Sequence, residues 1–230
     1  MVVAGYLLYN TNLRVKDANG YRFVGLPSGP PSKGLPTPST LKERAELVFQ
    51  LIPEKMKNLV IVDSTLSNFE MIQACVEVAE KYAKNVMVIP SLLARLTYAM
   101  EHMKVPPMNE VILIVTITSV FVEFVILLRD RAGKLYISEC KNYESNQCLK
   151  MFGKYLKQNN PTSTIFVFHK NFSDIVEKVV QRFKPQNCQK RSYEKWDYVL
   201  LFGAMVRAMD DEDGFDTRYH IANFSHGFET

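Results

Sequence analysis

An α/β architecture, with strands gathered into a mostly parallel sheet and covered by helices, is what this chain of 230 residues predicts. Three observations carry that expectation. From residue 40 onward, short apolar, β-branched runs alternate with amphipathic segments at helical spacing. Prolines and glycines punctuate the alternation, and hydrophobic residues at 47% with charged residues at 23% are ordinary for a globular chain. Two stretches, 2–25 and 111–140, read as antiparallel hairpins and break a simple doubly wound order.

The elements follow in chain order. VVAGYLLYN and LRVKDANGYRFVG (2–25) read as a strand pair with Asn19-Gly20 as the turn signal. LPSGPPSKGLPTPST (26–40) is a Pro/Gly-rich spacer or exposed loop. A helix capped by Ser39 or Thr40, with Glu43 behind the cap, runs through LKERAELVFQLI to Pro53. NLVIVDS (58–64) is a strand, 68–85 an amphipathic helix capped by Asn68, VMVIP (86–90) a strand and 91–103 a helix. Three strands come next, EVILIVTIT, SVFVEFVILLRD and KLYISECKN, then a helix over 145–158, strand 164–169, helix 172–183 and helix 196–209.

The run VILIVTITSVFVEFVILL (111–128) is long enough to span a bilayer. Glu123 inside it would cost about 2.5–3.5 kcal/mol at the membrane centre, and its Val, Ile, Thr and Phe content favours strand. Two buried strands reversing near Thr118–Ser119 are expected instead.

The formal charge of +4 is mild and the basic residues are scattered, apart from Lys184, Lys190, Arg191 and Lys195, so no nucleic-acid partner is expected. Cys75, Cys140, Cys148 and Cys188 lie far apart without a C-x-x-C pair, and His102, His169, His220 and His226 are as dispersed; zinc spacing is absent. Reduced, mostly buried thiols in a cytoplasmic protein are the expectation. MVVAGYLLYNTN has too short an apolar run and no basic flank for a signal peptide. DDEDGFDTRYH (210–220) has the look of a calcium loop, but with Gly214 at the sixth position Met209 and His220 fall on the first and twelfth, and the ligand set fails.

Three segments carry a family resemblance. Pro90–Glu101 read P-S-L-L-A-R-L-T-Y-A-M-E, residues from Val111 read V-I-L-I-V-T-I-T-S-V-F-V-E-F-V-I, and residues from Asp197 read D-Y-V-L-L-F-G-A-M-V-R-A-M. Together they resemble the ATPase domain of the seventy-kilodalton heat-shock chaperones. There the matching helix reads roughly E-P-T-A-A-A-L-A-Y-G-L-D, the hairpin V-L-I-F-D-L-G-G-G-T-F-D-V-S-I-L and the last helix D-E-A-V-A-Y-G-A-A-V-Q-A-A. Tyr98, Phe121, Asp197, Gly203, Ala204, Val206 and Ala208 fall on family residues. The resemblance covers about 58–209. It implies an actin-like (ribonuclease H-like) ATPase fold, mixed sheets covered by helices, with the peripheral lobes missing. Segment 26–40 stands where one lobe would be, and helix 145–158 replaces another. The implied organisation is 1–25 as the hairpin of a first lobe, 26–40 as a loop, 41–108 as the rest of that lobe, 109–209 as a second lobe and 210–230 as an acidic, loosely ordered tail.

The same resemblance locates the nucleotide loops. Glycine amides approach phosphate oxygens closely and aspartates organise hydrated magnesium and the attacking water. On D-L-G-G-G-T-F-D the chain has Val115 and Val122 at the aspartates, Ile117, Thr118 and Ser119 at the glycines, and Val120 at the threonine. On the first phosphate loop, D-L-G-T-T, it has Leu7-Leu8-Tyr9-Asn10-Thr11. On the adenosine loop, V-G-G-S-T-R-I-P, it has residues 167–174, with Phe168, His169 and Lys170 where the nucleotide would rest. Glu123, one position past Val122, points to the other face and reads as a surface or paired charge. The implied function is a non-catalytic, heat-shock-chaperone-like protein without a cofactor. It would act on a protein partner, such as a chaperone or co-chaperone, or by self-association, and its candidate surfaces are the Pro-rich loop, the basic residues near Arg191 and helix 196–209. The alternative keeps ATP with magnesium and a residual ATPase.

Overall fold

Strand Val3–Leu7 (β1) is buried along its whole length, whereas Asn12–Asp17 (β2) buries only Leu13 and Val15, and Gly20–Gly25 (β3) is mostly exposed. That gradient is the signature of a central strand, its neighbour and an edge. The three form an antiparallel meander, Val3 opposite Lys16 and Asp17 opposite Gly20. Residues 2–25 therefore hold three strands where the sequence reading had two. The Asn19-Gly20 turn closes the second hairpin, with Gly20 at φ 101° and the Asn19 amide donating to Asp17 Oδ1 at 2.8 Å. The computed structural model describes residues 1–27, 36–63, 68–101, 109–131, 133–209 and 221–222. Most of the Pro-rich loop, all of the expected tail but 221–222, and its calcium-like string lie outside the described residues.

β1 pairs in parallel with Met56–Asp63 (β4), and β4 with Ala83–Pro90 (β5), giving the order β3-β2-β1-β4-β5. Helix Pro38–Phe49 (α1) starts earlier than expected. Thr37 is its cap, in a capping box with Thr40, because Pro38 needs no amide in the first turn and its fixed φ suits a helix start. Helix Phe69–Tyr82 (α2) is capped by Asn68 as read, the Met71 amide donating to Asn68 Oδ1 at 3.0 Å. Both helices share a core with the sheet through Tyr6, Leu13, Phe49, Leu59, Ile61 and Cys75. Each large apolar side chain so buried contributes about 1.5–3 kcal/mol.

Helix Ser91–Met100 (α3) follows β5. Helix Trp196–Ala208 (α6) comes late in the chain, and from Val199 on it belongs to the same compact unit as residues 1–98. A Cβ built on Gly5 would lie 2.6 Å from the Leu201 carbonyl oxygen and 2.7 Å from the Met205 nitrogen, and one on Gly203 only 1.8 Å from the Ala94 carbonyl oxygen. Glycine at these positions lets α6 lie against β1 and α3 at backbone distance. The end of α6 is tied down as well: Asn58 Nδ2 donates to the Ala208 carbonyl at 3.0 Å, and Asn85 Nδ2 donates to Asn58 Oδ1 at 2.9 Å. A buried carbonyl that the helix leaves open thereby finds a partner.

The second unit, Ala99–Tyr198 with the short strand Ile221–Ala222, repeats the plan. Ile112–Ile117 (β6), Phe121–Arg129 (β7) and Leu135–Glu144 (β8) form an antiparallel meander. Ser163–His169 (β9) pairs in parallel with β6, and Cys188–Tyr193 (β10) with β9. With Ile221–Ala222 as β11 the order is β10-β9-β6-β7-β8-β11. The hydrophobic run 111–128 is thus the β6–β7 hairpin, reversing at Thr118–Val120 as expected. No described helix is long and apolar enough to cross a membrane. Only a 3₁₀ turn, Ser145–Gln147, separates β8 from helix Cys148–Asn159 (α4), so nothing is inserted there. Helix Ser173–Phe183 (α5) joins α4 over a core of Leu113, Val115, Phe124, Phe152 and Phe166. Strand β10 was not foreseen. Its residues CQKRSY bury only Tyr193, so no apolar pattern marks it.

Each half runs β-β-β-α-β-α-β-α, with three antiparallel strands, two parallel ones and the order 3-2-1-4-5 apart from β11. This duplication is the actin-like ATPase fold, in shortened form.

Two outcomes test the packing. Gly203→Ala forces the α6 and α3 backbones apart and should cost about 3 kcal/mol in urea denaturation, the upper end for overpacking. All four cysteines are free; burial pushes the Cys75 thiol up to about 12 and that of Cys148 up to about 11. The thiolate is the nucleophile. Near pH 8 iodoacetamide should therefore label half-buried Cys188 well before Cys75 and Cys148, and all four at once after unfolding, as read by mass spectrometry.

Candidate functional site

Because β6, β9 and β10 run parallel, their carboxyl ends emerge on one edge of the sheet, where open α/β sheets place ligands. A cleft of about 490 Å³ opens there. It is lined by the β6–β7 turn (118–121), by His169, Asn171 and Phe172 after β9, by Tyr193 at the end of β10 and by Trp196 at the start of α6.

The turn is built around one hydroxyl. Thr118 Oγ1 accepts from the Val120 amide at 3.2 Å and the Phe121 amide at 3.0 Å, and it donates to the Phe121 carbonyl at 3.1 Å. The Thr118 amide donates to the same carbonyl at 2.9 Å, and Ser145 Oγ donates to the Thr118 carbonyl at 3.0 Å. An anion site needs a row of amides aimed outward at the ligand. Here the Val120 and Phe121 amides aim inward. No residue of the turn is among those with positive φ, so it keeps ordinary L-residue backbone while Val120 projects, 78% exposed.

Past β9, His169 Nδ1 accepts from the Asn171 amide at 3.3 Å and Nε2 lies 3.1 Å from the Glu194 carbonyl. A carbonyl can only accept, so the proton sits on Nε2 and the ring is the neutral tautomer. The imidazole meets Tyr193 edge-on at 5.6 Å and Phe172 at 6.5 Å, and Tyr193 lies 5.4 Å from Trp196. The Tyr193 hydroxyl donates to the Ile117 carbonyl at 3.4 Å, closing the end of β6. At the rim Lys170 pairs with Glu194 at 2.8 Å and holds that exposed carboxyl below the usual carboxylate range.

The residues singled out from sequence divide by strand alternation. Thr118, Ser119, Val120 and His169 line the cleft, and Lys170 sits beside it. Val115, Ile117, Val122 and Phe168 face the other way, into the core under α4 and α5. They shape the cleft only by fixing where the strands end. Glu123 does point to the opposite face from Val122, but it is buried at 4% exposure, with Cys140 Sγ donating to Oε2 at 3.7 Å. The surface alternative is thereby corrected: opposite Thr116 on a central hairpin there is no solvent to meet. Tyr193 and Trp196 went unforeseen because one ends the unread strand β10 and the other follows it; the chain's single tryptophan, three residues after a tyrosine, was the available signal. Among the described residues no three His, Cys, Asp or Glu side chains gather as a metal site.

The corresponding loop of the first unit, Leu7–Thr11, keeps a different feature. Tyr9 has φ 71°, the left-handed region. Its carbonyl accepts from Arg44 at 2.8 Å, the Tyr6 hydroxyl donates to the Asn10 carbonyl at 2.9 Å, and the Leu8 amide donates to the Val62 carbonyl at 3.0 Å.

No protein-family model matches the chain, and no curated protein matches it in sequence. Among solved structures it is similar to an inorganic polyphosphate/ATP-glucomannokinase from Arthrobacter sp. strain KM. The identity is 10%, over 89% of this chain and 97% of that one, with a TM-score of 0.48. It is also similar to the ROK hexokinase from Thermus thermophilus, at 13% identity over 90% and 98% with a TM-score of 0.48. Apo ParM of pSK41 gives 8% identity over 90% and 96% with a TM-score of 0.49. Likenesses this distant carry nothing about activity, and the duplicated strand order is what identifies the fold.

Thr118→Val, nearly isosteric, would leave the Val120 and Phe121 amides without their acceptor. It should cost about 1–2 kcal/mol and speed hydrogen exchange at those two amides by roughly tenfold, whereas Thr118→Ser should do neither.

Proposed function

We propose that this chain is a non-catalytic protein of the actin-like fold whose nucleotide loops serve as structural turns, and that it acts by binding another protein. The hydroxyl of Thr118 carries this reading. It occupies the Val120 and Phe121 amides, the groups a phosphate-binding hairpin would offer its ligand. Seating a phosphate would mean breaking those bonds and turning the backbone over at β-branched residues that resist left-handed conformations. Carboxylates for magnesium are likewise replaced: Val115 and Val122 are hydrocarbon, fully buried. The residues present therefore do not fit a magnesium triphosphate, and no catalytic step is assigned. A chaperone or co-chaperone as the partner rests on the heat-shock resemblance alone.

One observation favours a second reading. His169, Phe172, Tyr193 and Trp196 give the cleft aromatic walls, against which the flat base of a nucleotide could stack without phosphate contacts.

Calorimetric titration with ATP and magnesium, beside one with adenosine, tests both. The expected result is no heat of binding, no phosphate release above a heat-inactivated control, and no thermal shift. A ligand at a hundred times its Kd would add about 2.7 kcal/mol of stability. Micromolar affinity for ATP with magnesium, or turnover, overturns the proposal; adenosine bound as tightly as ATP selects the second reading.

A further inference from the structure

Away from that cleft, α4 and α5 leave a groove of about 760 Å³ between them. Lys150, Lys154 and Lys157 stand at i, i+4 and i+7 on α4, hence on one side of the helix, and all are exposed. Arg182, near the end of α5, lines the groove with them, its guanidinium 5.3 Å from the Phe183 ring centroid. The floor is apolar. Leu149 and Phe183 form it, and Gly153 is small there because a Cβ would come within 2.9 Å of the Phe183 ring. Phe183 is braced from beneath by Phe152 at 5.4 Å.

Among the described residues no carboxylate lines this groove. Of the acids nearby, Glu139 is held low chiefly by Lys141 at 2.7 Å and accepts from the Tyr155 hydroxyl at 3.1 Å, and Glu144 accepts from the Asn146 amide group at 3.3 Å. Like charges four residues apart on a helix repel, so the lysine row costs a few tenths of a kcal/mol per pair in the free protein. An anionic partner reverses that sign.

We propose that the α4–α5 groove docks an acidic, amphipathic peptide segment of a partner protein. Its carboxylates would lie on Lys150, Lys154, Lys157 and Arg182, and an apolar side chain on Leu149 and Phe183. The concave shape disfavours a lipid surface, and the apolar floor has no counterpart in a nucleic-acid backbone. Such a partner has the chemistry of helix-in-groove recognition. The inference names a surface and a partner chemistry that the proposed function leaves open. It does not depend on whether the cleft is silent, since the two share no lining residue.

Fluorescence anisotropy on the full chain tests it with a labelled helical peptide bearing glutamates on one face and leucines on the other. Binding is expected to weaken roughly tenfold from low to high salt and to vanish when the glutamates are glutamines. The triple variant Lys150→Gln, Lys154→Gln, Lys157→Gln should bind at least about tenfold more weakly with a melting temperature no lower than that of the parent, because exposed substitutions barely touch stability and the repulsion along the row is relieved; Leu149→Ala should weaken binding at every salt concentration. No binding, equal binding by the triple variant, or tighter binding of a single-stranded oligonucleotide or of phosphatidylserine vesicles than of the peptide would overturn the assignment.

Discussion

A strand paired along both edges and covered on both faces gives the chain nowhere cheap to place a charge, and β1 and β6 are such strands. All else is arranged around that constraint. It demands an apolar run at 3–7 and an apolar, β-branched one at 112–117, helices to cover the sheets, and glycine at residue 5, where α6 comes to backbone distance. It also confines recognition chemistry to places where the strands have ended: the turns at their carboxyl ends and the exposed sides of the covering helices. Glu123 illustrates the constraint by exception. It is buried on β7 and has a partner within hydrogen-bonding reach.

At a strand end, what the turn does with its amides decides what it can hold. The β6–β7 turn spends them internally on Thr118 Oγ1, which gives a rigid reversal and an uncharged edge. Beside it the imidazole of His169 is used at both nitrogens, and Tyr193 seals the end of β6. The groups that could have met a ligand's charge thus meet one another. What still faces the cleft is largely ring and hydrocarbon, suited to contact by area and shape rather than by charge.

Much of this was legible in the sequence, and the parts that were not share a cause. Asn68 at the head of α2 was legible because a cap there coincides with the onset of helical spacing, and the reversal at Thr118–Ser119 because small polar residues interrupt an otherwise apolar run. The duplicated fold was legible through the segments around Tyr98, Phe121 and Gly203, of which Gly203 is packed so tightly that little else fits. Edges were illegible. β10 buries only its last residue and β3 almost nothing, so neither carries an apolar alternation, and both are held by a neighbour's ladder instead. Because the cleft borders on β10, Tyr193 and Trp196 were lost with it. The start of α1 was missed for another reason: Pro38 reads as a breaker unless it occupies the first helical position. The orientation of Val115, Ile117 and Val122 follows from counting by two along β6 and β7, yet a resemblance matched residue by residue does not say which face a position takes.

The two halves shape their corresponding turns in physically different ways. In the first, the left-handed position is held by Tyr9, φ 71°. A non-glycine residue there costs about 1–2 kcal/mol, and the conformation is over-determined by Arg44 on the Tyr9 carbonyl, Tyr6 on the Asn10 carbonyl and Val62 on the Leu8 amide. In the second, no residue of the turn is left-handed and a side-chain hydroxyl makes the closure. The first turn is fixed by partners outside it, the second by a hydroxyl of its own. A glycine placed at Tyr9 would meet a turn already shaped for it, whereas one at Thr118 would remove the group that shapes the turn. On the proposed reading, a cleft silent toward nucleotides would owe its silence to the conformation of four residues, 118–121, whose amides are already bonded, more than to any single side chain.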